Sequence, residues 1–245
     1  MTLLGLDGLT VLVYAATYLL VFGCAEVMAR RPRANPEIVR KTVHFIRGLL
    51  ALTFPWSIKS HWSLAGLAGT FVVFLLLAEK KRRLICLAGV GRQSYGAVLF
   101  PVAVYLLFVL NRNEYVLYLV SVLVLTIPDS FAAVVGRRYG SVPFGLWGGT
   151  KSLEGSLAFF FLSFLCVHLP LLLLTHTGRV ETVLVALATA LVATGLEAAS
   201  PVGTDNLCVP LGTSYVLAAM LGVPFAVGTA YLTVLLVMVT LSVIL

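Results

Sequence analysis

DSFAAVVGRRYGSVPFGLWGGTKSLEGS, residues 129–156, sets charge, glycine and hydroxyl groups between two stretches that otherwise read as membrane helices. Asp129 follows Pro128 near the end of an apolar run. A carboxylate at that depth is costly enough to call for a cation, a metal or a substrate as partner. The segment therefore reads as an active site inside a bilayer protein.

Composition agrees with that setting. The 245 residues are 60% hydrophobic and 11% charged, with mean hydropathy +1.03, whereas soluble domains carry about 25% charged residues. Apolar runs lie near 9–28, 42–58, 62–78, 95–110, 115–135, 155–174, 182–199 and 211–245. Most are close to the roughly 20 residues that a helical span requires. The expectation is one all-α integral membrane domain over 1–245, a polytopic bundle of about eight spans, within a range of seven to nine. The last run contains Pro224 and reads either as one kinked helix or as a short re-entrant piece before a ninth span. Met1 to Val13 has no Lys or Arg, so the first run is expected to stay inserted rather than be cleaved.

The basic residues alternate between connections. Arg30, Arg31, Arg33, Arg40 and Lys41 follow the first run, Lys80, Lys81, Arg82, Arg83 and Arg92 the third, and Arg137, Arg138 and Lys151 the fifth. The opposite connections hold Lys59, Arg112 and Arg179, and Arg47 lies within the second run. The positive-inside rule then puts the basic loops in the cytosol and the N-terminus outside. In a prokaryote this is the inner membrane. Glu26, Glu37, Glu79, Asp129, Glu154, Glu197 and Asp205 collect at or near that same face. The rule says little about carboxylates, so their bias is separate support for a cation-dependent or phosphate-handling site. A net charge of +7 placed beside apolar spans suits anionic lipid, not nucleic acid. Cys24, Cys86, Cys166 and Cys208 form no CxxC pair and lack His at zinc spacing, so they read as free thiols.

Three polar clusters fall at inner ends of spans: RKTVHFIRG at 40–48, the 129–156 segment, and EAASPVGTDNLCVPL at 197–211. Bundled spans would bring them into one chamber at head-group depth, with the catalytic stretches near 30–48, 129–156 and 197–211. Gly136 and Gly140 follow Asp129 by seven and eleven positions and share a helix face with small alanines. That strip suits close approach of either a neighbouring helix or a ligand.

Gly145, Gly148 and Gly149, then Thr150, Lys151 and Ser152 before the next span, form an order that suits a polyphosphate. GLWGGTKS at 145–152 nearly spells a Walker A loop. Thr150 stands at the required glycine, however, and a membrane helix rather than a strand is expected before it.

Several candidates keep two readings. Arg137 and Arg138 suit topology anchors, and Glu154 suits either the dipole of the following helix or a metal or substrate contact. Glu197 lies in the inner third of its span, Ser200-Pro201 ends that span, and Asp205-Asn206 opens the next loop. With Asp129, those carboxylates are enough to hold Mg²⁺ beside phosphate oxygens or to accept a proton. Arg40, His44 and Arg47 share a face entering the membrane next to Lys41. Arg47 is deep for an anchor, although its side chain can snorkel. His44 is either structural or a donor to a phosphate or lipid hydroxyl.

These clusters, in this order, resemble the family of CTP-dependent polyprenol and lipid kinases that includes dolichol kinase, phytol and farnesol kinases and the yeast-type diacylglycerol kinase. The resemblance runs from Arg40 to Leu211. The central pair is also similar to phosphatidate cytidylyltransferases, whose long C-terminal signature is lacking here, so the kinases are preferred. The resemblance implies a γ-phosphoryl transfer from CTP to the hydroxyl of a long-chain isoprenoid alcohol.

It further implies Asp129, Lys151, Glu197 and Asp205 as catalytic, and Asp129, Glu154 and Asp205 as Mg²⁺ ligands. The nucleotide set would be Arg137, Gly140, Gly148, Gly149, Lys151, Ser152 and Asn206. The substrate set would be Arg40, Lys41, His44 and Arg47. Glu197 and Asp205 remain alternative proton acceptors. A cytidylyltransferase would release pyrophosphate instead of CDP. A transporter would need polar residues toward both faces, which the sequence does not have.

Overall fold

A computed structural model describes residues 3–32, 34–80, 95–146, 149–200 and 203–222. Nine helices stand among them: α1 (Leu3–Ala29), α2 (Pro36–Leu52), α3 (Phe54–Ser57), α4 (His61–Lys80), α5 (Gly96–Leu110), α6 (Tyr115–Tyr139), α7 (Leu153–Leu174), α8 (Arg179–Ala199) and α9 (Asp205–Met220). Between α6 and α7 lies an antiparallel hairpin of β1 (Pro143–Leu146) and β2 (Gly149–Ser152), with Phe144 opposite Lys151. Lys81, Arg82, Arg83, Cys86, Arg92, Arg33, Pro201 and Pro224, and the choice between one helix and two after 222, lie outside the described residues.

The chain is an all-α polytopic bundle. Five of the described helices, within α1, α4, α6, α7 and α8, are long and apolar enough to cross a membrane. α2 and α5, at 17 and 15 residues, are shorter. The outward faces are apolar, with Leu9, Leu20, Leu173 and Leu191 exposed, while Ser121, Thr126, Ser163, Thr189 and Thr213 are buried. Lipid supplies no hydrophobic drive for helix association, so close packing and small residues must hold such a bundle together. The buried hydroxyls of α6 return hydrogen bonds to carbonyls four residues back: Ser121 to Leu117, Thr126 to Val122 and Ser130 to Thr126.

Two packing centres share α6 and α9. One joins them to α1, α2, α4 and α5 through residues such as Phe22, Phe71, Phe100 and Leu211; the other joins them to α7 and α8 through Phe159, Val167, Ala186 and Leu217. Glycine sets the approach distances. A Cβ on Gly48 of α2 would lie 2.6 Å from Thr126 Cβ on α6, and one on Gly155 of α7 would lie 3.2 Å from Gly136 Cα. Without side chains there, α2 and α7 reach α6 on opposite sides. At one end of the bundle this brings together the start of α2, the last turns of α6, the start of α7, the end of α8 and the start of α9.

Two local expectations are corrected. A strand, β1, precedes the GGTKS stretch, although as half of a hairpin it still does not build a Walker loop. Asp205 and Asn206 are the first residues of α9 rather than a loop, because the helix continues from Thr204 with the Cys208 N–H donating to the Thr204 carbonyl at 2.9 Å.

Candidate active site

Asp129 sits on α6 one residue past Pro128, which has no N–H and leaves the helix ladder open beside it. Lys41, on the facing side of α2, donates from Nζ to both Asp129 carboxylate oxygens at 2.8 Å and to the Asp129 carbonyl at 3.1 Å. One turn further along α2, His44 Nε2 bonds the Leu125 carbonyl at 2.9 Å and stands 3.4 Å from Asp129 Oδ2. Gly48 lies another turn along. Its contact with Thr126 is what lets Lys41 and His44 reach the carboxylate.

A second ion pair closes the other side. Lys151 of β2 donates to Glu197 Oε1 at 2.6 Å and also to the Glu197 carbonyl at the end of α8. Between the pairs is a cavity of about 10 Å³ lined by Asp129, Glu197, Asp205, Asn206, Leu125 and Phe159, close to the smallest space that holds one water. Asp205 lies within electrostatic reach of Asp129, Lys151 and Lys41. It accepts from the Asn206 N–H at 2.9 Å and from the Asn206 amide at 3.3 Å, both through Oδ1. Glu197 Oε2 and Asn206 Oδ1 are buried acceptors without a hydrogen-bond partner. Leaving them so costs on the order of 1–3 kcal/mol each, a cost that a bound cation would remove.

Other candidates stand around this centre. Arg40 is held by Glu37 through two bonds, 2.6 and 3.1 Å. Burial alone would raise the Glu37 carboxyl, but the Arg40 hydrogen bond and charge outweigh it and keep Glu37 below its ordinary range. Arg137 donates to Asn35 Oδ1 at 3.2 Å, tying the end of α6 to the cap of α2. Arg47 faces away from the cavity, buried with its guanidinium 4.4 Å from the Phe100 ring centre and 5.8 Å from that of Phe22.

The glycine strip and the α7 start have structural occupations of their own. The Gly140 N–H is donated to the Gly136 carbonyl at 3.0 Å, and a Cβ on Gly140 would lie 2.8 Å from Ser152 Cβ. Ser152 caps α7, its Oγ accepting from Gly155 N at 3.1 Å. Glu154 is apart from the other carboxylates, on the exposed side, where it accepts from the Ser141 hydroxyl, the Ser141 N–H at 2.8 Å and the Val142 N–H at 3.3 Å. It closes the base of the hairpin. Gly149 opens β2 opposite Leu146, and Gly148 lies outside the described residues. Among the described residues no cluster of three His, Cys, Asp or Glu forms a ready metal site.

The chain is 34% identical over 206 residues to phytol kinase from Synechocystis sp., covering 82% of this chain and 88% of that protein. The chain belongs to the phytol kinase family. Two plant members, probable phytol kinase 2, chloroplastic, of Glycine max and probable phytol kinase, chloroplastic, of Zea mays, are 32% and 30% identical. Each covers 86% of this chain, which in turn spans 74% and 75% of them. No family model matches the chain, and no solved structure is significantly similar. Sequence reasoning had no signal for Gly48 as the residue that seats the family member's Lys41 and His44 against Asp129. A glycine directly following an intramembrane Arg, Arg47, was the one available hint.

Proposed function

We propose that this protein is an isoprenoid alcohol kinase that moves the γ-phosphoryl group of CTP to the hydroxyl of a long-chain alcohol of the phytol type, leaving CDP. The observation that carries the proposal is the meeting of two Lys–carboxylate pairs and Asp205, from five chain segments, at one end of a membrane bundle in a phytol kinase relative. Phosphoryl transfer asks a protein mainly to align donor and acceptor and to neutralise spreading charge. Lys41 and Lys151 are suited to this, because each can exchange a carboxylate oxygen for a phosphate oxygen without moving through the bundle. Each exchange would free Asp129 and Glu197.

Magnesium fits the released oxygens. It takes one or two carboxylates together with phosphate oxygens. Asp129 and Asp205 would hold it, with the orphaned Glu197 Oε2 and Asn206 Oδ1 beside them, and it would supply charge neutralisation at the phosphates. Glu154, bound up in the hairpin, is set apart from that group. Arg40 and Arg137, with the backbone of Gly149, would border the nucleotide. Asp205, whose Asn206 bonds use Oδ1, or Glu197 would accept the alcohol proton as the new P–O bond forms and the bond to CDP breaks. The basic connections support a cytosolic location for this end of the bundle.

The test is purified protein in lipid nanodiscs with Mg²⁺, assayed with each of four nucleoside triphosphates against phytol, geranylgeraniol, a dolichol-type prenol and diacylglycerol. CDP and an alkyl monophosphate are expected from CTP with the isoprenoid alcohols. Pyrophosphate and a CDP-lipid, or no transfer to any alcohol, would overturn the reading.

A further inference from the structure

His44 is buried on α2 behind the small cavity between the ion pairs, whose wall on that side is made by Leu125 and Asp129. Its Nε2 lies 2.9 Å from the Leu125 carbonyl, and because a carbonyl only accepts, that nitrogen carries the proton. The same N–H stands 3.4 Å from Asp129 Oδ2, the oxygen that Lys41 Nζ holds at 2.8 Å. In a regular helix the Leu125 carbonyl already receives the N–H of Asp129, four residues on. Moving the imidazole proton from that carbonyl to the carboxylate therefore leaves no backbone group of α6 without a partner.

The tilt of the ring decides which acceptor it reaches, and α5 sets the tilt. Phe100 of α5, also buried, meets the imidazole edge-on, with ring centroids 5.2 Å apart and planes at 78°. Phe100 is itself held by Arg47, one turn along α2 from His44, whose guanidinium lies 4.4 Å from the ring centre. Pro101 follows Phe100 inside α5 and has no N–H, so the Ala97 carbonyl loses its helix donor. Arg47 Nη1 donates to that carbonyl at 3.4 Å. Arg47 and Phe100 also border a separate apolar cavity of about 30 Å³, room for little more than water.

We propose that His44 is a positioning residue for Asp129: its Nε2–H passes from the Leu125 carbonyl to Oδ2 when Lys41 turns to the phosphates of the donor, and Phe100, clamped by Arg47 at the proline break of α5, holds the ring for that move. The inference rests on the kinase reading for the event that draws Lys41 away. A buried carboxylate that loses its hydrogen-bond donor is destabilised unless another takes its place. Besides Lys41, His44 is the described basic side chain within 4 Å of Asp129. A closure of roughly 0.5 Å brings its N–H to an ordinary hydrogen-bond length. His44 thus serves the carboxylate and not the alcohol.

Two measurements test this. The first is a kinetic cycle with Mg²⁺, CTP and geranylgeraniol on wild type, His44→Gln, His44→Leu, Phe100→Leu and the double variant His44→Leu with Phe100→Leu. Groups that orient a metal-holding carboxylate are typically worth about 10- to 100-fold, and His44→Leu is expected to lower kcat by that factor. Both KM values should stay within about twofold, since no substrate contact is removed. His44→Gln keeps an N–H at similar reach and should retain most of the activity. Phe100→Leu should lower kcat by itself and add nothing in the His44→Leu background. An unchanged kcat in His44→Leu, or effects that multiply in the double variant, would overturn the assignment.

The second measurement needs no turnover. Protein labelled with ¹⁵N-histidine is placed in nanodiscs, and the His44 signals are identified by their loss in His44→Gln. The Nε2–H tautomer is expected. Asp129→Asn should shift the Nε2 signal toward a weaker hydrogen bond, and Lys41→Met should shift it the opposite way, because the imidazole then becomes the carboxylate's donor. An Nδ1–H tautomer, or a signal indifferent to both variants, would overturn the proposal. The expected shifts in a protein that phosphorylates no alcohol would uphold the link between His44 and Asp129 and refute the kinase reading.

Discussion

Lys41 Nζ lies 2.8 Å from each carboxylate oxygen of Asp129, across 88 positions of sequence. Both side chains are largely removed from solvent, so each charge depends on the other for its stability. Breaking one half of such a pair costs more than the pair contributes, because a buried charge is left uncompensated.

Asp129→Asn keeps shape and removes charge. It is expected to lower kcat by about 100-fold or more while the protein still assembles as a monodisperse species on size-exclusion chromatography. Lys41→Met leaves Asp129 buried without its cation and is expected to destabilise the fold by about 3–5 kcal/mol. Thermal unfolding in detergent separates the two effects.

Gly48→Ala should damage the site from a distance. A Cβ at 48 runs into Thr126, so α2 must move away from α6 and carry Lys41 and His44 with it. A stability loss of about 1–3 kcal/mol is expected, with a fall in kcat at saturating substrates. Adding Thr126→Gly removes the obstructing side chain and should recover part of the activity. No recovery in the double variant would mean that Gly48 acts through something other than this contact.

Lys151→Ala should act on the nucleotide. On the proposed reading it removes a charge-assisted bond to phosphate, worth about 1.5–3 kcal/mol, so the KM for the nucleotide donor is expected to rise by about 10- to 100-fold. The KM for the alcohol should change little. An equal rise in both would place Lys151 in holding Glu197 and the bundle rather than the donor.

Glu154→Ala should loosen the hairpin and leave the carboxylate centre intact. Its acceptor bonds to the Ser141 hydroxyl and to the Ser141 and Val142 N–H groups disappear. Faster amide exchange over residues 141–146 is the expected readout, and Mg²⁺ dependence of turnover should stay as in the wild type. A shifted Mg²⁺ requirement would return Glu154 to the metal ligands.

Asp7→Ala serves as a control at the opposite end. Asp7 of α1 accepts from the backbone N–H groups of Ser60, at 2.8 Å, and Lys59, at 3.3 Å, just ahead of α4. Its loss is expected to cost about 0.5–2 kcal/mol, as for a lost helix cap, with kcat and KM unchanged.

Much of this was legible in the residues. Apolar length alone gave helices over 9–28, 62–78, 115–135, 155–174 and 182–199, because a bilayer leaves few other ways to satisfy the backbone. The polar clusters at 40–48, 129–156 and 197–211 stood out because charge is expensive in that setting. The hairpin at 143–152 was not foreseen. Its strands are four residues each, too short for an alternating pattern to show, and its glycines suggested a phosphate loop instead. Glu154 illustrates the same limit: a carboxylate at a helix start looks alike in sequence whether it faces a metal or a neighbouring turn.

By itself the sequence determined a helical membrane protein with its chemistry concentrated in three polar segments, since the cost of burying charge depends on residue type and local apolar length alone. Only the tertiary structure decided that Lys41 pairs with Asp129, that Lys151 pairs with Glu197, and that Arg47 turns into a separate apolar cavity. Those outcomes depend on how closely helices approach, and that distance is set by contacts between residues such as Gly48 and Thr126 that lie far apart along the chain.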